Sequence, residues 1–298
     1  MATQSDVVYG TGDGRELKID IFPATGPHNY RTAVLQLHGG RWRYGNRKMM
    51  AEHAQALSQF GFTCLPTAYR LLSEAPWPAP LHDVKAAVRW TRANADRLGI
   101  APDRIVIQGC SAGAYLALMA AATNGQAAWE GDGGHADVSS SVNAIISIYP
   151  VTLFKQDWEG CYTGDAPIAA ADDYLPASLL LEDRLTEDNI RAISPYTYVT
   201  PQFPPTALWH GGADTYVPPS HSLRMYEALV RAGVTVDLHL VAGMAHVFDF
   251  APSHRTAVQH ATALFLRRTV CEAEALQEEI AGVSTMLKTK AAAFNLPR

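Results

Sequence analysis

The sequence predicts an α/β domain on a mostly parallel, twisted sheet with helices on both faces. Three observations predict it. Short apolar runs alternate with segments of helical period along most of the 298 residues, and such alternation implies right-handed crossovers between parallel strands. A strand, a glycine-flanked turn and a small-residue helix follow one another over residues 104–122. The chain opens on a hairpin, with Asp13-Gly14 as its turn signal, which supplies an antiparallel edge.

The elements follow in order. Val7-Val8-Tyr9-Gly10 and residues 17–22 form the two arms of the hairpin. Residues 33–37 are the next strand. A helix is expected over about 48–60, with Met49, His53, Ala56 and Leu57 at helical spacing and Gly61 as its stop. Residues 62–66 form a strand, and residues 80–95 an amphipathic helix with Leu81, Val84, Ala87, Val88 and Thr91 on one face. Then come the strand and helix around Ser111, a buried strand at 144–149, apolar runs at 206–209 and 234–241, and a helix at 253–268. The rhythm breaks over about 150–204, a loop-like stretch carrying Trp158, Tyr162, Tyr174, Tyr196 and Tyr198 with several acids. An insertion at the carboxyl edge of such a sheet reads as a cap over a site. An extra C-terminal helix is expected at about 271–294, with Leu276, Ile280, Val283 and Leu287 in one stripe. That stripe reads first as packing on its own domain and second as a homodimer contact. The whole chain is expected to form a single domain.

Composition excludes several function classes. A net charge of −5 gives no basic surface for nucleic acid. No run of eighteen apolar residues suggests a membrane span. The N-terminus has neither a basic start nor an apolar core, so no signal peptide is expected and the location is expected to be cytoplasmic. Cys64, Cys110, Cys161 and Cys271 are scattered without metal-ligand spacing, and no metal or cofactor is implied.

Gly109-Cys110-Ser111-Ala112-Gly113 carries the chemistry. A turn this sharp leaves no room for side chains at its ends, hence the two glycines, and it lifts the serine hydroxyl above the sheet. The Ala112 amide then sits at a helix N-terminus, where it can stabilise an oxyanion. A serine needs a base, and the base needs a carboxylate to orient it. Asp214 and His246 both follow apolar runs, in the chain order Ser, Asp, His. Asp249, three residues beyond His246, is the competing orienter. His53, His82, His210, His221, His239, His254 and His260 show no loop position with an acidic partner, and His38 reads as structural. His38-Gly39-Gly40 closes another strand, where glycines let amides approach a reacting carbonyl. Arg41, Arg43, Arg47 and Lys48 cluster beside it. They read first as a solvated loop and second as a device that steers a carboxylate-bearing substrate.

On these motifs, from about residue 15 to 268, the chain resembles α/β-hydrolases of the esterase/lipase type with a His-Gly-Gly oxyanion motif. That group includes hormone-sensitive-lipase-like carboxylesterases, feruloyl and acetyl-xylan esterase-like proteins and kynurenine formamidases. The resemblance implies the α/β-hydrolase fold. It implies a catalytic triad of Ser111, Asp214 and His246, and an oxyanion hole from the amides of Gly39, Gly40 and Ala112. Arg41, Trp42, Tyr149 and Trp158 are candidate substrate contacts. The implied reaction is hydrolysis of a small-molecule carboxylic ester, of small or aromatic type, through an acyl-enzyme. His38-Gly39-Gly40-Arg41-Trp42 also matches the form seen in formamidases, so an arylformamidase-like amidase stays open. So does an acyltransferase or cyclase using the same triad. A ligand receptor on this fold is the remote alternative.

Overall fold

The computed structural model describes residues 2–154, 178–181 and 186–293. Among these residues eight strands form one sheet: β1 (Gln4–Gly12), β2 (Arg15–Ile21), β3 (Ala33–Leu37), β4 (Thr63–Thr67), β5 (Ile105–Cys110), β6 (Ala144–Ile148), β7 (Thr206–Gly211) and β8 (Val236–Val241). Their spatial order is β1-β2-β4-β3-β5-β6-β7-β8. The opening hairpin pairs antiparallel with itself and with β4, while the strands from β4 to β8 run parallel.

Parallel strands covered on both faces read as continuous apolar runs, and here alternate residues feed two cores. Leu35, Leu37, Ile105, Ile107, Ile145 and Leu208 face one layer. That layer holds α2 (Ala79–Ala93), α4 (Ala112–Ala122) and α7 (Ser220–Arg231). Val34, Val106, Ile146 and Ala207 face the other layer, with α1 (Ala51–Ser58) and α8 (Pro252–Leu266). A buried amide ladder ties α8 to the sheet: Gln36 donates to Gln108 (2.7 Å), which donates to Gln259 (3.2 Å). Helix α7 has no counterpart among the sequence-based expectations. It is amphipathic, with Met225 and Leu229 buried in the core and Tyr226 packed against it.

The register sets the site. Leu37 pairs with Gly109, Cys110 with Ile148, Ile148 with Trp209 and Gly211 with Val241. Five parallel strands therefore end along one edge, and the loops bearing Gly39, Ser111, Tyr149, Asp214 and His246 leave from it.

Within the expected cap, Trp158, Tyr162 and Tyr174 lie outside the described residues. Of the described parts, Leu180, Leu181, Ile190 and Ile193 are buried in the core, and Tyr115 donates its hydroxyl to the Ile193 carbonyl (2.8 Å). The C-terminal helix spans Ala273–Ala293. Its apolar stripe does not pack as expected: Leu276 is half-buried, but Ile280 is 64% exposed and Val283 and Met286 are exposed with it. The helix packs mainly on the wide turn at Arg267–Cys271 that precedes it. Among the described residues no helix is long and apolar enough to cross a membrane.

Candidate active site

Ser111 follows β5 directly and begins α4, with φ 52° and ψ −116°. A non-glycine residue at positive φ is strained, and this strain is held by packing on both sides. A Cβ on Gly109 would strike the backbone of Gly113, and a Cβ on Gly113 would strike the carbonyls of Leu37 and His38. The Ser111 amide donates to the Ile148 carbonyl (2.9 Å), locking the turn to β6.

His246 stands on the loop after β8. Its Nε2 lies 3.0 Å from the Ser111 hydroxyl, and its Nδ1 2.6 Å from Asp214 Oδ2. Both Asp214 oxygens are engaged. Oδ1 accepts the amides of Tyr216 (2.9 Å) and Val217 (3.0 Å), and Oδ2 also lies 3.3 Å from His210 Nε2. Burial pushes the Asp214 carboxyl up, but the hydrogen bonds from His210, His246 and Val217 and the His246 charge together hold it well below the usual carboxylate range.

The other carboxylate is used elsewhere. Asp249 is fully buried and accepts from His53 Nε2 (3.0 Å) and from the Tyr149 hydroxyl. The competing orienter Asp249 does not reach His246, and one expectation is corrected: His53 does have an acidic partner, 196 residues away in the chain. No sequence spacing could reveal a pair joined only by the contact of α1 with the loop after β8.

The oxyanion-side loop is braced from below. Burial pulls His38 down to about 4, against a backbone hydrogen bond to Gly39 (2.6 Å) that acts the other way. The ring stacks on Tyr69 at 4.5 Å, and Tyr69 donates its hydroxyl to the His38 carbonyl (2.8 Å). Gly40, at φ 117°, accepts the amides of Arg43 and Tyr44 and reverses the chain. A Cβ on Gly39 would sit 3.1 Å from the Ser111 Cβ, so this backbone passes directly over the serine. The Cys110 sulfur lies close to this backbone, and burial pushes its thiol up. The Ala112 amide opens α4 and has no acceptor within the helix.

These groups border a cavity of about 400 Å³, whose lining includes Gly40, Arg41, Ser111, Tyr149 and His246. Arg41 and Trp42 part company there. Both have positive φ (55° and 59°), which turns the chain so that Arg41 lines the cavity while Trp42 enters the core. Trp42 packs edge-on against Tyr115 (5.1 Å) and beside Phe154, so it is a core residue and not the substrate contact expected. Tyr149 lines the cavity as expected, but its hydroxyl is taken by Asp249. Trp158 lies outside the described residues, and no described residue of 150–204 lines this cavity. Met49, Tyr216, Val247 and Phe250 line it without any motif to announce them.

The parallel sheet with flanking helices, and a serine turn at its carboxyl edge, define an α/β-hydrolase of the esterase/lipase type. The BD-FAE family matches residues 19–229, and the chain belongs to that family. It is 30% identical to esterase LipQ of Mycobacterium tuberculosis over 86% of this chain and 59% of LipQ. It is 31% identical to esterase LipC of the same organism over 77% of this chain and 56% of LipC. The chain thus spans less than three-fifths of the length of these two relatives. Among solved structures, a thermophilic esterase of Thermogutta terrifontis (Est2) superposes with a TM-score of 0.73 at 28% identity, covering 90% of this chain and 93% of that one. A truncated carbohydrate esterase from gut microbiota superposes with a TM-score of 0.73 at 25% identity, covering 90% and 96%.

Proposed function

We infer that the chain is a carboxylesterase acting on small-molecule esters with a small or aromatic acyl or alcohol part. The observation that carries this is the continuous chain Asp214, His246, Ser111, at 2.6 and 3.0 Å, opening into a cavity. Ser111 attacks the ester carbonyl while His246 Nε2 takes its proton. Asp214 keeps the imidazole in the tautomer that accepts at Nε2 and stabilises the imidazolium. The oxyanion forms beside Gly40 and the Ala112 amide, where the positive end of α4 adds its field. The Gly39 amide, on the backbone that passes over the serine, belongs to the same space, as the motif implies. His246 then protonates the leaving alcohol, and water repeats the cycle on the acyl-enzyme. The Est2 esterase has been solved with propionate and with butyrate bound, which favours short acyl groups here as well.

The test is labelling with a fluorophosphonate, peptide mapping, and hydrolysis of p-nitrophenyl acetate, butyrate and octanoate beside N-formylkynurenine. The expected outcome is a single adduct on Ser111, with the short esters hydrolysed fastest. An adduct on another serine refutes the mechanism, and a preference for the formamide moves the chain to the amidases.

A further inference from the structure

Behind the base lies a buried group that the Ser111, His246, Asp214 chain does not use. The Tyr149 ring is tilted at 53° to His246, with centroids 4.3 Å apart, and Tyr216 approaches the same imidazole at 5.7 Å. The Tyr149 hydroxyl donates to Asp249 Oδ1, and Asp249 Oδ2 accepts from His53 Nε2 (3.0 Å). Each Asp249 oxygen so has one polar partner, the Tyr149 hydroxyl on one side and the His53 ring nitrogen on the other. All three side chains are buried, and His53 Nδ1 has no hydrogen-bond partner among the described residues.

Stability alone does not account for this arrangement. A buried carboxyl and imidazole are costly to desolvate, and well-packed apolar residues of the same size commonly do as well or better. Tyr149 also holds φ 43°, a strained setting for an aromatic residue, and it does so immediately after β6 at the catalytic edge. Strain and buried polarity converge on the nearer of the two described rings beside His246.

We propose that Tyr149, anchored by Asp249 and His53, is a positioning residue that holds the His246 ring and stabilises its imidazolium. This rests on His246 being the base. The imidazolium exists only while Ser111 is being acylated or released, so an aromatic face beside it favours the transition state over the resting enzyme. The carboxylate behind the phenol polarises that face in the same sense, through a medium from which water is excluded. The other titratable or charged groups near this assembly are Asp214 and His210 on the far side of His246, Tyr216 against its ring, Arg41 on the cavity wall, and Cys110 beside Tyr149 and Asp249.

The experiment compares the full chain with Asp249→Asn, Tyr149→Phe, Tyr149→Leu and Ser111→Ala, using p-nitrophenyl acetate across pH. Asp249→Asn is expected to lower kcat about tenfold, with KM changing less than about twofold. The acidic limb of its kcat/KM profile moves to lower pH by about half a unit, because removing a negative charge disfavours the imidazolium. Tyr149→Phe keeps the ring and loses less than Tyr149→Leu. Circular dichroism and thermal melts check folding. If Asp249→Asn does not fold, the Phe and Leu pair decides alone. A folded Asp249→Asn with unchanged kcat and an unmoved acidic limb overturns the proposal, as do equal rates for Tyr149→Phe and Tyr149→Leu. Activity retained in Ser111→Ala would instead overturn the triad on which it rests.

Discussion

Ser111, His246 and Asp214 act as one unit, so their removal should not be additive. Ser111→Ala or His246→Ala is each expected to lower kcat by about four to six orders of magnitude, and the double variant to lose little more. Asp214→Asn should cost about four orders, because it leaves the ring in the wrong tautomer. Steady-state kinetics checks all four. A double variant far slower than either single would show that the two residues act independently. Arg41 offers a test of specificity. It lines the cavity, and among the described residues it has no acidic partner. An ester bearing a carboxylate near the scissile bond should gain about 1.5–3 kcal/mol from a charge-assisted contact. Arg41→Ala is then expected to raise KM for the anionic ester by about tenfold or more and leave its neutral analogue unchanged. Salt should narrow the difference. Equal effects on both esters would return Arg41 to a solvated loop.

At the scale of the element, the turn between β5 and α4 depends on the absence of two side chains. Any Cβ at Gly113 meets the carbonyls of Leu37 and His38, which β3 holds in register with β5. Gly113→Val is expected to destabilise the fold by about 1–3 kcal/mol through overpacking and to displace Ser111 as well. Urea unfolding reads the first effect, and fluorophosphonate labelling of the folded fraction the second. A variant with wild-type midpoint and wild-type labelling rate would mean that the turn tolerates bulk. The same register explains why the strand–turn–helix signal is readable in sequence. It is local, and each of its residues answers to neighbours within a few positions.

At the scale of the molecule, acid should weaken the fold before it titrates Asp214. Burial holds His221 down to about 3 and His38 down to about 4. A histidine whose folded pKa is depressed binds its proton more readily when unfolded. Its contribution is therefore intact above about pH 6.5 and is lost as pH falls towards the folded value. Each could cost on the order of 2–3 kcal/mol by pH 4. Asp214, held low in the fold, adds its own loss at lower pH, once the unfolded carboxylate is protonated. Urea midpoints between pH 7 and 4.5 should fall steadily, and His221→Asn should flatten the slope. A flat wild-type profile over that range would contradict the burial of these two rings.

The sequence by itself determined the parallel sheet, the opening hairpin, the glycine turn at Ser111, and the loops that carry Asp214 and His246. Each depends on periodicity or on steric demands within a few residues, which composition records directly. It also singled out Gly40, Arg41 and Tyr149 as candidates, because strand ends are legible as the ends of apolar runs, but it read Arg41 first as part of a solvated loop. The chain order pointed to Asp214 as the orienter, and the tertiary structure supplies the reason that Asp249, nearer in sequence, does not compete: α1 places His53 against it and the end of β6 places Tyr149. Only the tertiary structure sent Trp42 into the core while Arg41 stayed at the cavity, since two successive left-handed residues undo any inference from adjacency. Long-range pairings of this kind depend on how helices and loops 32 to 196 positions apart are brought together. That is a property of packing, for which no local pattern exists.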